Sequence, residues 1–139
     1  MDEASIREYI VRNFPEISVV DGTGGGFFFT DPERKFPFAT LVTSDEYDRA
    51  SDLSRPGVFR LNIGVSKRTF GAMFGAAPAS GGEGGYDYTA LDRIMPHPVY
   101  GKMYWVCVLN PGAETFETVR KLLAEAYETG RRQRARRAE

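Results

Sequence analysis

The stretch Phe59-Arg60-Leu61-Asn62-Ile63-Gly64-Val65 alternates large apolar residues with small or polar ones. Successive side chains of a β-strand point to opposite faces, so this alternation predicts a strand that is buried on one face only. A second stretch, Met103 to Leu109, is apolar throughout. It predicts a strand that lies centrally in a sheet and is covered on both faces.

Three more strands are predicted on the N-terminal side of this pair. Ile17 to Val20 and Phe27 to Thr30 flank a glycine-rich turn, which is typical of a hairpin. Phe38 to Thr43 follows a turn at residues 31–34, where Asp and Pro favour chain reversal. The sequence therefore predicts five strands.

Three segments have the apolar spacing of helices. The first covers residues 6–14 and ends before Pro15, because a residue that precedes proline is disfavoured in helical geometry. The second is short, with Ser66 as its N-cap and Gly75 as its end, and the third covers residues 114–127, with Gly130 as its end. The order α-β-β-β-β-α-β-α predicts an α+β fold: a mainly antiparallel sheet with N- and C-terminal helices and one short crossover helix packed on one side.

Length and charge predict one domain followed by a tail. The 139 residues, 42% of them hydrophobic, are enough for a single core. Residues 131–139 hold five arginines and one acid, whereas the other 130 residues carry 13 basic and 18 acidic side chains. We therefore predict a single α+β domain over residues 1–130 and a basic, disordered tail over residues 131–139.

Composition also bears on the cellular compartment. The single cysteine, Cys107, has no partner for an internal disulfide, which is typical of a reducing compartment. The first residues are acidic where a signal peptide is basic, and no apolar run reaches the roughly 20 residues of a membrane span. We expect a cytoplasmic protein without a membrane partner.

Three stretches carry a resemblance to a known family: residues 35–41, Phe59 to Ile63, and Tyr104 to Val108 followed by an Ala-Glu-Ala-Tyr helix end. In these the chain resembles the MmcQ/YjbR-like proteins, small bacterial α+β domains. Residues 90–106 resemble a narrower group of uncharacterised bacterial proteins known as a domain of unknown function. The resemblance implies the fold, and it implies DNA as a candidate partner, since some members have been proposed to bind DNA. It supplies no catalytic residue.

The loop from Tyr86 to Tyr104 is the first place to look for a site. It contains the only histidine, and a cluster of aromatic, acidic and basic residues could line a pocket. The ligand-binding candidates are Tyr86, Tyr88, Asp92, Arg93, His97 and Tyr100. Alternatively, His97 packs or caps a rigid loop between Pro96 and Pro98, and the aromatic residues fill the core, as we expect for Trp105.

Other motifs have simpler interpretations. Gly22 to Gly26 could suggest a phosphate-binding loop, but a strand follows it rather than a helix, so a hairpin turn is expected. One His and one Cys make no zinc spacing, so we expect no metal and no cofactor. Cys107 is expected to be an inert buried thiol, and residues 45–48 are expected to form a solvated turn or helix start.

The basic tail is either a solvated terminus or a nucleic-acid contact. Arginines bind phosphates without sequence specificity, but no aromatic residues are interleaved here for base stacking. The nucleic-acid candidates are Arg131, Arg132, Arg134, Arg136 and Arg137.

Three classes of function remain open from the sequence. We expect a non-enzymatic binding module, with nucleic acid as a candidate partner. The alternative is a small-molecule-binding protein or enzyme that uses the loop of residues 86–104. The third is an interaction protein, either a monomer or a homodimer formed through an open sheet edge.

Overall fold

The computed structural model describes the backbone of residues 1–75 and 85–138 and the side chains of residues 1–75 and 85–133. The strands are β1 (Ser18–Gly22), β2 (Gly25–Phe29), β3 (Pro37–Val42), β4 (Arg60–Gly64), β5 (Met95–Pro96) and β6 (Trp105–Leu109). The helices are α1 (Glu3–Asn13), α2 (Lys67–Phe74) and α3 (Ala113–Ala138), with a short 3-10 helix at Gly101–Met103. The protein has the α+β fold that its sequence predicts.

The strands form one antiparallel sheet in the order β1-β2-β3-β4-β6-β5. The hairpin of β1 and β2 is confirmed, and β4 and β6 pair in the middle of the sheet. Strand β5 was not predicted, because two residues are too few to show alternation. Pro96 is compatible with an edge strand, because proline has no backbone N–H to donate and an edge strand is hydrogen-bonded on one side only.

One face of the sheet packs against the helices. Leu41, Leu61 and Val108 lie opposite one another on β3, β4 and β6 and point to this face. They share a buried core with Ile6 of α1 and Leu123 of α3. The burial of apolar surface in such a core is the main favourable contribution to folding.

The predicted ends of the first two helices are confirmed. Helix α1 stops at Asn13, with Phe14 as its extended C-cap immediately before the proline. In α2 the Ser66 side chain accepts from the Thr69 N–H, and Gly75, with φ of 82°, ends the helix. These caps satisfy backbone groups that the helix itself leaves unpaired.

The predicted end of the third helix is wrong. Helix α3 continues through Gly130 to Ala138. Gly130 has a packing role instead: a Cβ at this position would lie 2.8 Å from Oγ1 of Thr30, which follows β2. The close approach of α3 to the sheet therefore favours a residue without a side chain. The separation of residues 131–139 as a disordered tail stays a prediction.

The other face of the sheet carries a row of mixed chemistry. Phe27, Thr40, Asn62, Cys107 and Met95 lie side by side across five strands. The long connections after β3 and before β6 cover part of this face, where they form a second, smaller apolar cluster that includes Leu53 and Tyr88. In the described ranges, no helix is long and apolar enough to cross a bilayer.

Candidate functional site

Strand β4 brings two polar side chains into the interior. The alternation around Leu61 directs Arg60 and Asn62 away from the helices, onto the second face of the sheet. Both are buried, and Arg60 is only 1% exposed. A buried arginine is uncommon and needs partners for its charge and its five N–H groups.

Asp48 supplies the charge partner of Arg60. Its two carboxylate oxygens accept from Nη1 and Nη2 of Arg60 at 3.0 and 2.6 Å. Nη1 also donates to Oγ of Ser51, and Nε donates to Oδ1 of Asn62, each at 3.0 Å. Four of the five N–H groups are thus engaged, two of them in the bidentate geometry that arginine makes with a carboxylate.

The same contact keeps Asp48 ionised. Burial alone would raise the pKa of Asp48, but the hydrogen bonds and positive charge of Arg60 outweigh it, so the pKa lies below its ordinary value. The prediction of a merely solvated turn at residues 45–48 is therefore wrong for Asp48, whose side chain is 15% exposed.

Asn62 connects the pair to the neighbouring strand. Its Nδ2 donates to Oγ1 of Thr40 on β3, at 3.0 Å. Arg60, Asn62 and Thr40 form one hydrogen-bonded floor across two strands. An unpaired polar group is costly in the low dielectric of the protein interior. A network in which every member is hydrogen-bonded therefore holds its side chains in one arrangement.

His97 stands at the end of β5 and is 4% exposed. Its Nδ1 accepts from the backbone N–H groups of Val99 and Tyr100, at 3.0 and 2.9 Å. The neutral ring therefore carries its proton on Nε2. Burial lowers the pKa of His97 to about 3, and the nearby Arg60 charge acts in the same direction against the opposing effect of Asp48.

These residues line one open cavity of about 430 Å³. Arg60, Asp48, Asn62, Thr40 and His97 supply the polar part of its wall. The apolar part consists of Phe27, Phe36, Pro37, Val42, Val99, Met103 and Trp105, together with the aromatic rings of Tyr47 and Tyr100. Phe36 and Met103 at the rim are 66% and 61% exposed, so the cavity opens to solvent.

Trp105 forms part of this wall rather than of the core. Its side chain is half-buried and lies against Gly64 of β4, where an added Cβ would approach the indole to 3.0 Å. The expectation that Trp105 fills the core is thus wrong, because the absent side chain at Gly64 lets the indole lie flat beside the cavity.

Two of the six predicted ligand-binding residues, His97 and Tyr100, line the cavity. Tyr88 belongs to the second apolar cluster and Tyr86 packs against it, so neither residue lines the cavity, and burial raises the pKa of Tyr88. Arg93 lies over the ring of Tyr86, 5.5 Å from its centroid. The six residues are therefore not gathered at one place.

Asp92 has a structural position. Its Oδ1 accepts from the N–H of Gly112 at 2.7 Å, immediately before α3. That hydrogen bond, with a second from Thr115, lowers the pKa of Asp92. An ionised carboxylate at a helix N-terminus is favoured by the helix dipole.

Cys107 is buried on the second face, next to Asn62 in the row of side chains. Burial raises the pKa of its thiol to about 12. The thiol is protonated at neutral pH and hence a poor nucleophile, as the sequence led us to expect. Within the described residues, no group of three or more His, Cys, Asp or Glu residues could hold a metal ion.

The candidate nucleic-acid residues lie at the end of α3. Arg131 packs over the ring of Tyr127, and Nη2 of Arg132 lies 3.4 Å from Oγ1 of Thr129. The side chains of Arg134, Arg136 and Arg137 lie outside the described residues.

Sequence reasoning missed Arg60 and Asp48 as site residues. An arginine in an alternating strand normally marks the solvent face, so its burial could not be expected. The sequence placed Arg60 and Asn62 together on one face of a half-buried strand, but no local signal indicated that this polar face is covered.

The fold and the cavity define an α+β protein whose sheet carries helices on one face and a cavity with a charged, hydrogen-bonded floor on the other. The chain belongs to the family of unknown function DUF6194, whose family model matches residues 1–139. The searches of curated proteins and of solved structures found no match.

Proposed function

We propose that this protein is a non-enzymatic binding module whose ligand is a small organic molecule held in the cavity over β3 and β4. The observation that carries the proposal is the open cavity that is lined by a buried, charge-paired arginine and an asparagine from β4 and by a neutral histidine that follows β5. Its volume of about 430 Å³ lies within the range of about 300–1,000 Å³ that small-molecule sites occupy.

The composition of the wall supports a ligand site. Small-molecule sites are mostly apolar, with a few fixed polar groups that orient the ligand. Here aromatic and aliphatic side chains surround the polar floor, and the network of Asp48, Arg60 and Asn62 fixes that floor before any ligand arrives. Fixed groups reduce the entropy lost on binding.

The chemistry of the wall favours binding over catalysis. A general base works best with a pKa near the working pH, whereas the pKa of His97 is about 3. Its Nδ1 lone pair is also occupied by two backbone N–H groups. Arg60 is paired with Asp48, and the thiol of Cys107, which is not among the lining residues, is a weak nucleophile with a pKa of about 12.

A fragment screen tests the proposal. Saturation-transfer NMR with a set of neutral and charged aromatic fragments should find binders to the wild-type protein. Val99→Phe at the mouth of the cavity and Thr40→Met at its floor fill the space, so both should abolish the signal of these fragments. Leu91→Phe, at a position that is 49% exposed and outside the cavity wall, is the matched control and should leave the signal unchanged.

The comparison of the variants decides the outcome. Fragments that bind the wild type and Leu91→Phe but neither filled variant support a ligand site in the cavity. If no fragment binds, or if binding is the same in all four proteins, the proposal is wrong.

Nucleic-acid binding through the arginines of residues 131–137 is the second proposal. We also propose that the chain is related to the MmcQ/YjbR-like proteins, because some of these have been proposed to bind DNA. The clustering of five arginines at the end of a chain whose body is acidic favours nucleic-acid binding. Gel-shift titration with duplex and single-stranded DNA at two salt concentrations tests it. Absence of binding at low salt contradicts it.

For either function we propose a cytoplasmic location, because the only cysteine is buried as a free thiol.

A further inference from the structure

The cavity wall contains hydrogen-bond donors that are not fully engaged. The Nε2–H of His97, one N–H of Asn62 Nδ2 and one N–H of Arg60 Nη2 have no acceptor among the described residues. All three residues line the cavity. Donors that lose water on ligand binding must be matched by acceptors on the ligand, because an unmatched buried donor is costly.

The carboxylate of Asp48, the amide oxygen of Asn62 and the hydroxyl of Thr40 in the same wall each accept at least one hydrogen bond within the protein. Asp48 accepts from two nitrogens of Arg60 and from the N–H of Ala50. Oδ1 of Asn62 accepts from Arg60, and Oγ1 of Thr40 accepts from Asn62. Because the three N–H groups have no acceptor among the described residues whereas these oxygens already have donors, the wall favours a ligand that accepts hydrogen bonds.

The wall carries no net formal charge. Among the residues that the structure describes, only Asp48 and Arg60 are charged and line the cavity, and they are paired with each other. His97, with a pKa of about 3 caused mainly by burial, is neutral at physiological pH. A charged ligand would lose its hydration without gaining a free counter-charge, which is unfavourable.

We propose that the ligand of this cavity is an uncharged molecule that presents a carbonyl-type acceptor oxygen on an aromatic or other apolar body. This inference rests on the proposed function. The acceptor oxygen meets the donors of His97, Asn62 and Arg60, while the body lies against Phe27, Val42 and Trp105.

Three probes of equal shape test the inference: 4-tert-butylacetophenone, 4-tert-butylbenzoate and 4-tert-butylbenzylamine, which is protonated at pH 7. They present an uncharged acceptor, an anion and a cation on the same body. Trp105 is the only tryptophan and lines the cavity, so its indole N–H resonance reports occupancy in ¹H–¹⁵N NMR titrations. We expect the ketone to bind at least tenfold more tightly than either charged probe.

The outcomes separate the inference from the function on which it rests. A benzoate or ammonium probe that binds as tightly as the ketone, with binding lost in Val99→Phe, overturns the inference and leaves the cavity as a ligand site. If no probe shifts the Trp105 resonance and the fragment screen finds no binding sensitive to cavity filling, the proposed function itself is overturned.

His97→Asn tests the role of the donor directly. The asparagine Oδ1 can replace Nδ1 as the acceptor for Val99 and Tyr100, but its Nδ2 does not reach the position of Nε2. We expect the ratio of ketone to ammonium affinity to fall at least fivefold. An unchanged ratio in the folded variant contradicts the assignment of His97 as a donor to the ligand. A residue with a purely structural role would leave this ratio unchanged.

Discussion

At the scale of single residues, the buried Arg60 is held by one carboxylate. The side chain of Arg60 is 2% exposed and that of Asp48 is 15% exposed, so their attraction is poorly screened by water. A second ion pair, Arg12 with Glu8, lies on the surface with side chains that are 74% and 65% exposed. The two pairs have similar chemistry and opposite environments.

We predict that Asp48→Ala lowers the free energy of unfolding by about 3 kcal/mol, because it leaves a buried cation without its partner. Glu8→Ala, the matched control, should change it by at most about 0.5 kcal/mol, since exposed pairs contribute little. Urea denaturation measures both. Equal effects of the two substitutions would mean that burial does not strengthen the Arg60 contact.

A second prediction concerns the pH dependence of stability and rests on His97. In the unfolded chain its ring binds a proton below its ordinary pKa of 6.5, whereas the folded ring stays neutral down to a pKa of about 3. Stability contributed by the neutral ring is therefore complete above pH 6.5 and is lost as the pH falls towards 3. Between pH 7 and pH 5 the loss is about 2 kcal/mol.

His97→Asn should remove this loss. The pKa of Asp48 lies below its ordinary value, so the carboxylate stays ionised between pH 7 and pH 5 and adds little slope there. Urea denaturation at several pH values compares the two proteins. If the free energy of unfolding falls equally between pH 7 and pH 5 in the wild type and in His97→Asn, His97 is not the source of the pH dependence.

At the scale of elements, the packing of α3 on the sheet depends on Gly130. Alanine in place of glycine usually stabilises a helix by about 1 kcal/mol. At Gly130 the new Cβ would lie within 3.0 Å of two atoms of the buried Thr30 side chain, whereas at Gly71 of α2 nothing lies within 4 Å. The same substitution therefore meets a packed interface in one helix and open space in the other.

We predict that Gly71→Ala raises the free energy of unfolding by up to about 1 kcal/mol. Gly130→Ala should lower it, because overpacking a filled contact costs about 1–3 kcal/mol. Thermal or urea denaturation of the two variants gives the comparison. Stabilisation by Gly130→Ala would mean that α3 does not approach Thr30 as closely as described.

At the scale of the whole molecule, charge and core are separated along the chain. The buried residues of α3 extend to Tyr127, and residues 131–133 are exposed. The five arginines therefore follow the last buried residue in the part of α3 whose side chains the structure describes. Removing residues 131–139 takes away a net charge of +4 and leaves a body of −5.

We predict that a chain ending at Gly130 keeps its stability within about 1 kcal/mol, as is usual for changes away from the core. Any binding of DNA at low salt should be lost in the same shortened chain, since its remaining charge repels phosphate. Urea denaturation and gel-shift titration measure the two effects. A large loss of stability would show that the arginine segment is part of the domain.

Much of the fold could be predicted because its signals are local. The alternation around Leu61, the apolar spacing of α1 and the caps Ser66 and Gly75 each lie within a few residues of the element they define. The end of α3 could not be predicted in this way. Glycine at position 130 is typical of a helix end, but here it is required by contact with Thr30, a hundred residues earlier in the chain.

The sequence by itself determined the α+β class, the existence of the strands β4 and β6 and the presence of polar residues on one face of β4. Only the tertiary structure decided that β4 and β6 are neighbours and that this polar face forms the floor of an open cavity. Alternation sets which face a side chain points to, because it follows from backbone geometry. What covers that face depends on loops from elsewhere in the chain, which bring Asp48 to Arg60 and His97 to the same cavity.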